Sequence, residues 1–215
     1  MQLPFSHDQF LDVFGAYNRA FWWAALLLWL ATAAVVVGWL RDAARAGRAV
    51  AWLLVVHWVW SGVAYHFGYF RAINPSAAVF GVLFVVEAGL LARAAAGRAP
   101  PDLGAARGPW RALGLLFVAY GLVYPLLGLA LGLDYPRMPT FGVPCPTAIL
   151  TIGFLLTADP ERARTLAVIP LIWAVVGSSA AFALGIRADL MLAVAGVALL
   201  VRVIGSLGRA RPAQA

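Results

Sequence analysis

Seven apolar runs, at about residues 20–40, 50–70, 76–92, 112–133, 141–158, 166–185 and 190–206, alternate with short polar or arginine-bearing stretches. Crossing a hydrocarbon core as a helix takes about 20 apolar residues. The pattern therefore predicts an all-α, polytopic membrane helix bundle of about seven transmembrane helices. Ahead of the first run, Ser6 and Gln9 stand as a capping box, and Phe10, Phe14 and Tyr17 recur behind them at helical spacing. Residues 6–19 are expected to form a short interfacial helix with its aromatics dipping into lipid. Asp8 and Asp12 stand where a signal peptide would carry basic residues. The chain divides into an interfacial amphipathic segment 1–19, a single transmembrane bundle 20–206 and a basic tail 207–215.

Composition agrees with a membrane solvent. The chain is 63% hydrophobic and 12% charged, with a mean hydropathy of +0.87, whereas soluble domains are about 25% charged. All sixteen basic residues are arginine. When loops are assigned alternately to the two faces, twelve arginines fall on one side and four, Arg19, Arg71, Arg137 and Arg187, on the other. This asymmetry predicts an external N-terminus and a cytoplasmic C-terminus. It also accounts for the net charge of +7 without nucleic acid, since no basic cluster is interleaved with aromatics. The connector from Arg93 to Arg111 fits a solvated cytoplasmic loop, with Pro100 and Pro101 stopping the third span. The absence of lysine excludes a retinal Schiff base, and a lone cysteine excludes an intrachain disulfide or a thiolate cage.

Ionisable groups within spans are costly and mark either function or a buried contact. Glu87 is the charged group of the third span, and His57 lies in the second. Measured from the turn at 71–76, they sit roughly 16 Å and 21 Å deep, one helical turn apart. The two form a candidate proton or ion coupling pair, with Ser61 and Tyr65 continuing the His57 face; the alternative is a packing contact that fixes two helices. His66, nine residues from His57, points the opposite way round the helix. The two histidines are therefore not expected to share a metal or a haem.

The stretch from Asp134 to Leu150 holds prolines 136, 139, 144 and 146 around Cys145. A helix opening at Pro146 has roughly 20 Å before Asp159, short of a hydrocarbon core of about 30 Å. Residues 136–144 should then enter the protein as non-helical backbone, which is tolerated only where protein or a cavity surrounds it. Tyr124, beside Pro125, falls at the height of Cys145. The expected result is an outward-facing pocket lined by Cys145, Thr147, Tyr124, Tyr65, His66, Asn74 and Asp134. The competing reading is a proline-rich plug with Cys145 as a small buried hydrophobe. A soft metal on Cys145 and His66 would have two ligands from one chain, too few unless a second subunit contributes. The starts Asn74-Pro75-Ser76-Ala77 and Cys145-Pro146-Thr147-Ala148 also match as a candidate repeat of period 71.

LPFSHDQFLDVFGAYNRAFW at the start, YHFGYFRAINPSAAVFGVLF at 65–84 and YPRMPTFGVPCPTAILTIGFLL at 135–156 resemble an uncharacterised group of bacterial multi-pass membrane proteins, domain of unknown function 6064. The resemblance implies a bacterial inner-membrane location and carries over no activity, cofactor or residue role. Three functional readings stand: a small-solute or ion transport or binding protein with its site at the broken fifth helix; a non-catalytic accessory or sensor subunit that docks a partner; and a membrane thiol enzyme using Cys145, for which no base is secured. The bilayer is the partner that composition requires. A small ligand or ion, and a homo-oligomeric copy, are left open.

Overall fold

The computed structural model describes residues 4–98 and 102–207, the side chain of Arg162 excepted. Pro100, Pro101, Arg209, Arg211 and tail residues 208–215 lie outside the described residues. The helices are α1 (His7–Arg41), α2 (Ala43–Trp60), α3 (Ala77–Ala96), α4 (Pro109–Ala130), α5 (Pro144–Thr157), α6 (Pro160–Leu184) and α7 (Met191–Leu207). Among the described residues, six helical stretches are long and apolar enough to cross a membrane, and α5 is shorter. The chain is thus an all-α polytopic bundle with the composition of a multi-pass membrane protein.

The ends of the bundle differ in chemistry. One gathers the start of α1, the α2–α3 turn, the α4–α5 segment and the α6–α7 turn, and is rich in aromatic rings. Its parts meet in the Phe5–Phe70 and Phe14–Tyr65 ring pairs and in the contact of His7 Nδ1 with the Leu184 carbonyl. The other end holds the arginine-bearing turns, tied by Arg48 to the Gly97 carbonyl, Arg164 to Ser206 and Arg202 to the Ala158 carbonyl.

The expected interfacial helix is not a separate element. The Ser6–Gln9 capping box forms, but the helix then runs on to Arg41 through a kink at Phe21 (φ −124°, ψ 23°). Phe10, Phe14 and Tyr17 are buried in protein instead of lipid. Their partners are Tyr65 and Phe70, which come from a π-helical turn at Ser61–Phe67 and the 3-10 turn after it. An aromatic stripe reads the same in sequence whether lipid or other rings cover it. The π-helical turn widens the helix, so that the adjacent residues Tyr65 and His66 are both buried.

α5 is the axis of the bundle. It opens at Pro144, two residues before the expected start, and every residue except Cys145 is buried. Fourteen residues make about 21 Å of helix, and the rest of the depth is filled by irregular backbone at both ends. At the arginine-rich end, Leu103 bridges Ala158, Ala106 N–H donates to the Thr157 carbonyl at 3.0 Å, and the Trp39 indole donates to the Leu103 carbonyl. At the aromatic end, residues 138–143 are buried without being helical. The α4–α5 crossing brings backbones into contact at Gly114 and Gly153: a Cβ on Gly153 would lie 2.8 Å from Val118 N, and one on Gly114 would lie 2.7 Å from the Gly153 carbonyl. The two candidate repeat starts do not share a register. α3 opens three residues after Asn74, whose side chain accepts from Ser76 N–H, whereas α5 opens one residue before Cys145.

Gly142 is required twice over. Its φ is +79°, and a Cβ there would lie 2.8 Å from Leu28 and 2.9 Å from Trp60. Gly142→Ala should lower stability by about 1–3 kcal/mol, read as a fall of several degrees in the thermal unfolding midpoint in detergent. Gly38→Ala, at a helical site with nothing within 4 Å, should not lower it.

Candidate functional site

The α4–α5 segment enters the bundle because two side chains, Asn18 and Ser61, satisfy its backbone. Asn18 Nδ2 donates to the Pro136 and Met138 carbonyls, each at 2.7 Å, and Asn18 Oδ1 accepts from Thr140 Oγ1 at 2.6 Å. Ser61 Oγ donates to the Gly142 carbonyl at 2.8 Å. Buried carbonyls otherwise left bare cost about 1–3 kcal/mol each. This wrapping delivers Cys145 to the first turn of α5, at the edge of a cavity.

The cavity has a volume of about 960 Å³ and lies between the start of α1, the α2–α3 turn, residues 139–145, the half of α6 nearest Leu184 and the start of α7. Phe10, Phe14, Tyr65, Phe70, Phe80 and Trp173 supply aromatic wall; Asn74, Cys145, Ser178, Ser179 and Asp189 supply its polar groups. Asp189, 3% exposed, sits in a 3-10 turn (Arg187–Leu190) between α6 and α7. Two tyrosines spaced four apart on α4, and so on one face, hold that turn: Tyr120 donates to the Ala188 carbonyl at 2.8 Å and Tyr124 to Asp189 Oδ1. The Cys145 thiol interacts with the Asp189 carboxylate and with the Trp173 indole. Apart from that sulfur, the buried Trp173 Nε1–H has no hydrogen-bond partner.

The structure brings some of the expected pocket residues together and disperses others. Tyr65, Asn74 and Cys145 line the cavity. Tyr124 lies behind it and reaches it through Asp189. His66, 0% exposed, is enclosed by Phe70, Phe80, Phe84 and Trp173, and neither ring nitrogen has a hydrogen-bond partner. Thr147 is buried towards α2, 3.4 Å from Ser61 Oγ, and Asp134 is exposed on the loop. Asp189, Trp173 and Asn18 carry much of the site and were not singled out from sequence. Asp189 and Asn18 each stand at the margin of an apolar run, where a polar residue reads as a turn or an interface.

The expected pairing of His57 with Glu87 is not formed. His57 Nε2 lies 2.9 Å from Thr32 Oγ1, whose own proton goes to the Leu28 carbonyl at 2.7 Å. The hydroxyl therefore accepts from His57, which assigns the proton to Nε2 and leaves Nδ1 a buried acceptor without a partner. Phe141 packs edge-on against the ring at 5.4 Å. Ser61, expected beside Glu87, instead serves the Gly142 carbonyl. Glu87 is 0% exposed with no hydrogen bond to either oxygen. Among the described residues, no group of three or more His, Cys, Asp or Glu side chains is placed to hold a metal ion.

Two substitutions test these contacts. Tyr124→Phe removes a donor from a buried carboxylate and should cost about 1–3 kcal/mol, with Tyr135→Phe, on an exposed ring with a long 3.4 Å contact, close to neutral. Glu87→Met replaces a carboxyl that forfeits its hydrogen bonds with an apolar chain of similar length. Its thermal midpoint should rise by a few degrees, by about 1–2 kcal/mol of stability; a fall would indicate that Glu87 has a stabilising partner in the membrane.

No curated protein and no solved structure matches the chain. A family model does match, over residues 7–212, and so covers every helix of the bundle and all of the cavity wall except Phe5; the chain belongs to the family of unknown function DUF6064.

Proposed function

We propose that the protein binds a small, largely apolar solute in the cavity at the aromatic end of the bundle, as a binding or transport protein of the bacterial inner membrane. The observation that carries this reading is the cavity itself: about 960 Å³, walled by aromatic rings, with a carboxylate and a thiol among its few polar groups. Pockets that take small molecules have this make-up, apolar lining with a few polar groups that set orientation. The cluster of arginines at the opposite end supports placing that end in the cytoplasm, which puts the cavity in the outer half of the membrane. Glu87 and the bare His57 Nδ1, buried elsewhere in the bundle and not engaged with each other, are the groups we assign to ion coupling if the solute is carried across.

Cys145 is the chain's one thiol and lines the cavity, so it reports on access. In intact cells a membrane-impermeant maleimide should label the wild-type protein and leave Cys145→Ser unlabelled. Labelling by a permeant maleimide but not by the impermeant one would mean that the cavity does not open to the outside. Failure of both reagents would mean that the thiol is sealed in a plug.

A further inference from the structure

The chemistry of the cavity narrows the solute. We infer that the ligand is a lipophilic organic cation, a bulky amine or onium, held with its charge at Asp189 and its apolar body among the aromatic walls, and that it enters sideways from the bilayer. This rests on the reading of the cavity as a binding site.

The charge argument starts from Asp189. It lines the cavity while 3% exposed, and the groups that face it, the Tyr124 hydroxyl and the Cys145 thiol, are neutral donors. None of the ion pairs among the described residues includes it, Arg187 in the same turn is exposed, and the chain contains no lysine. None of the described residues lining the cavity is basic. A buried carboxylate is costly unless a counter-charge meets it, and here the space beside it is open. An anion would be repelled by the carboxylate and find no basic group to offset it. A cation supplies the missing charge, and aromatic rings such as Tyr65, Phe80 and Trp173 favour cations further.

The donor set also separates an organic cation from a metal ion. Hard metal ions take about six or more oxygen ligands, whereas this cavity presents one carboxylate against predominantly aromatic and aliphatic wall. Its volume stands near the upper end of the usual small-molecule range of about 300–1,000 Å³, so the ligand it fits is bulky. The route follows from the rim. Val175 and Phe182, 68% and 83% exposed, belong both to the cavity lining and to the outward face of α6. In a membrane that face meets acyl chains, so the mouth opens to molecules already partitioned into the bilayer.

Tetraphenylphosphonium and tetraphenylborate have nearly the same shape and opposite charge, and triphenylmethane is a neutral counterpart. Equilibrium binding of each, radiolabelled, to the full-length protein in nanodiscs with protein-free discs subtracted tests the inference. The phosphonium should bind at least about tenfold more tightly than the borate, a difference of about 1.4 kcal/mol. Asp189→Asn should remove that preference while binding of triphenylmethane is unchanged. If wild-type protein binds cation, anion and neutral arene alike, the cavity is a site without charge selection and the cation inference is overturned, while the binding reading stands. If none of the three binds, both fall. The cation-to-anion ratio on wild-type protein decides the matter even where Asp189→Asn does not fold.

Discussion

Backbone amides and carbonyls inside a membrane protein must find partners within the protein, since lipid offers none. Everything distinctive in this bundle follows from how residues 136–143 meet that demand. They are not helical, yet most are buried, and their carbonyls are taken by Asn18 from α1 and Ser61 from the π-helical end of α2. Those two side chains let the chain descend before it starts to coil. Gly142 completes the arrangement with a left-handed turn pressed against Leu28 and Trp60. α1, α2 and the start of α5 are thereby fastened at one level.

A late start makes α5 short, and a short helix cannot face lipid along its length without exposing its ends. The bundle resolves this by surrounding it. With thirteen of its fourteen residues buried, α5 takes its environment from α2, α4, α6 and α7, and the Gly114–Gly153 contact lets α4 approach to backbone distance. The exception is Cys145. It is the first-turn residue that the sheath leaves partly exposed, where the neighbouring chain is the Asp189 turn, fixed by Tyr120 and Tyr124. Short helix and cavity thus meet at Cys145, which the late start of α5 brings beside that polar turn.

Much of this was legible in the sequence because it depends on spacing along one chain. Apolar run lengths placed the helices, the prolines around Cys145 marked the break, and Ser6 with Gln9 marked the start of α1. What was not legible depends on neighbours. Asn18 reaches Pro136 across 118 residues, and no periodicity connects them. His57 and Glu87 were set at similar depth by counting turns, but depth says nothing of azimuth, and Thr32 on α1 claims the imidazole. Phe10, Phe14 and Tyr17 fit a lipid-facing stripe equally well until Tyr65 and Phe70 are seen to cover them. Asp189 stands ahead of an apolar run, where an acidic residue is commonly a solvated turn.

The buried polar groups fall into two kinds, and the difference bears on function. Asn18, Ser61, Thr32 and the Nε2 side of His57 are bonded to protein, and they hold the shape. Glu87, His66 and His57 Nδ1 have no hydrogen-bond partner, and Trp173 Nε1 has none but the Cys145 sulfur, although each unsatisfied group costs stability. Trp173 is the informative one. Its ring packs on His66 and Phe84 while it lines the cavity beside Cys145. A polar ligand atom at that point would find an indole N–H, a thiol and a carboxylate together, all held by elements that α5 and its buried loop position.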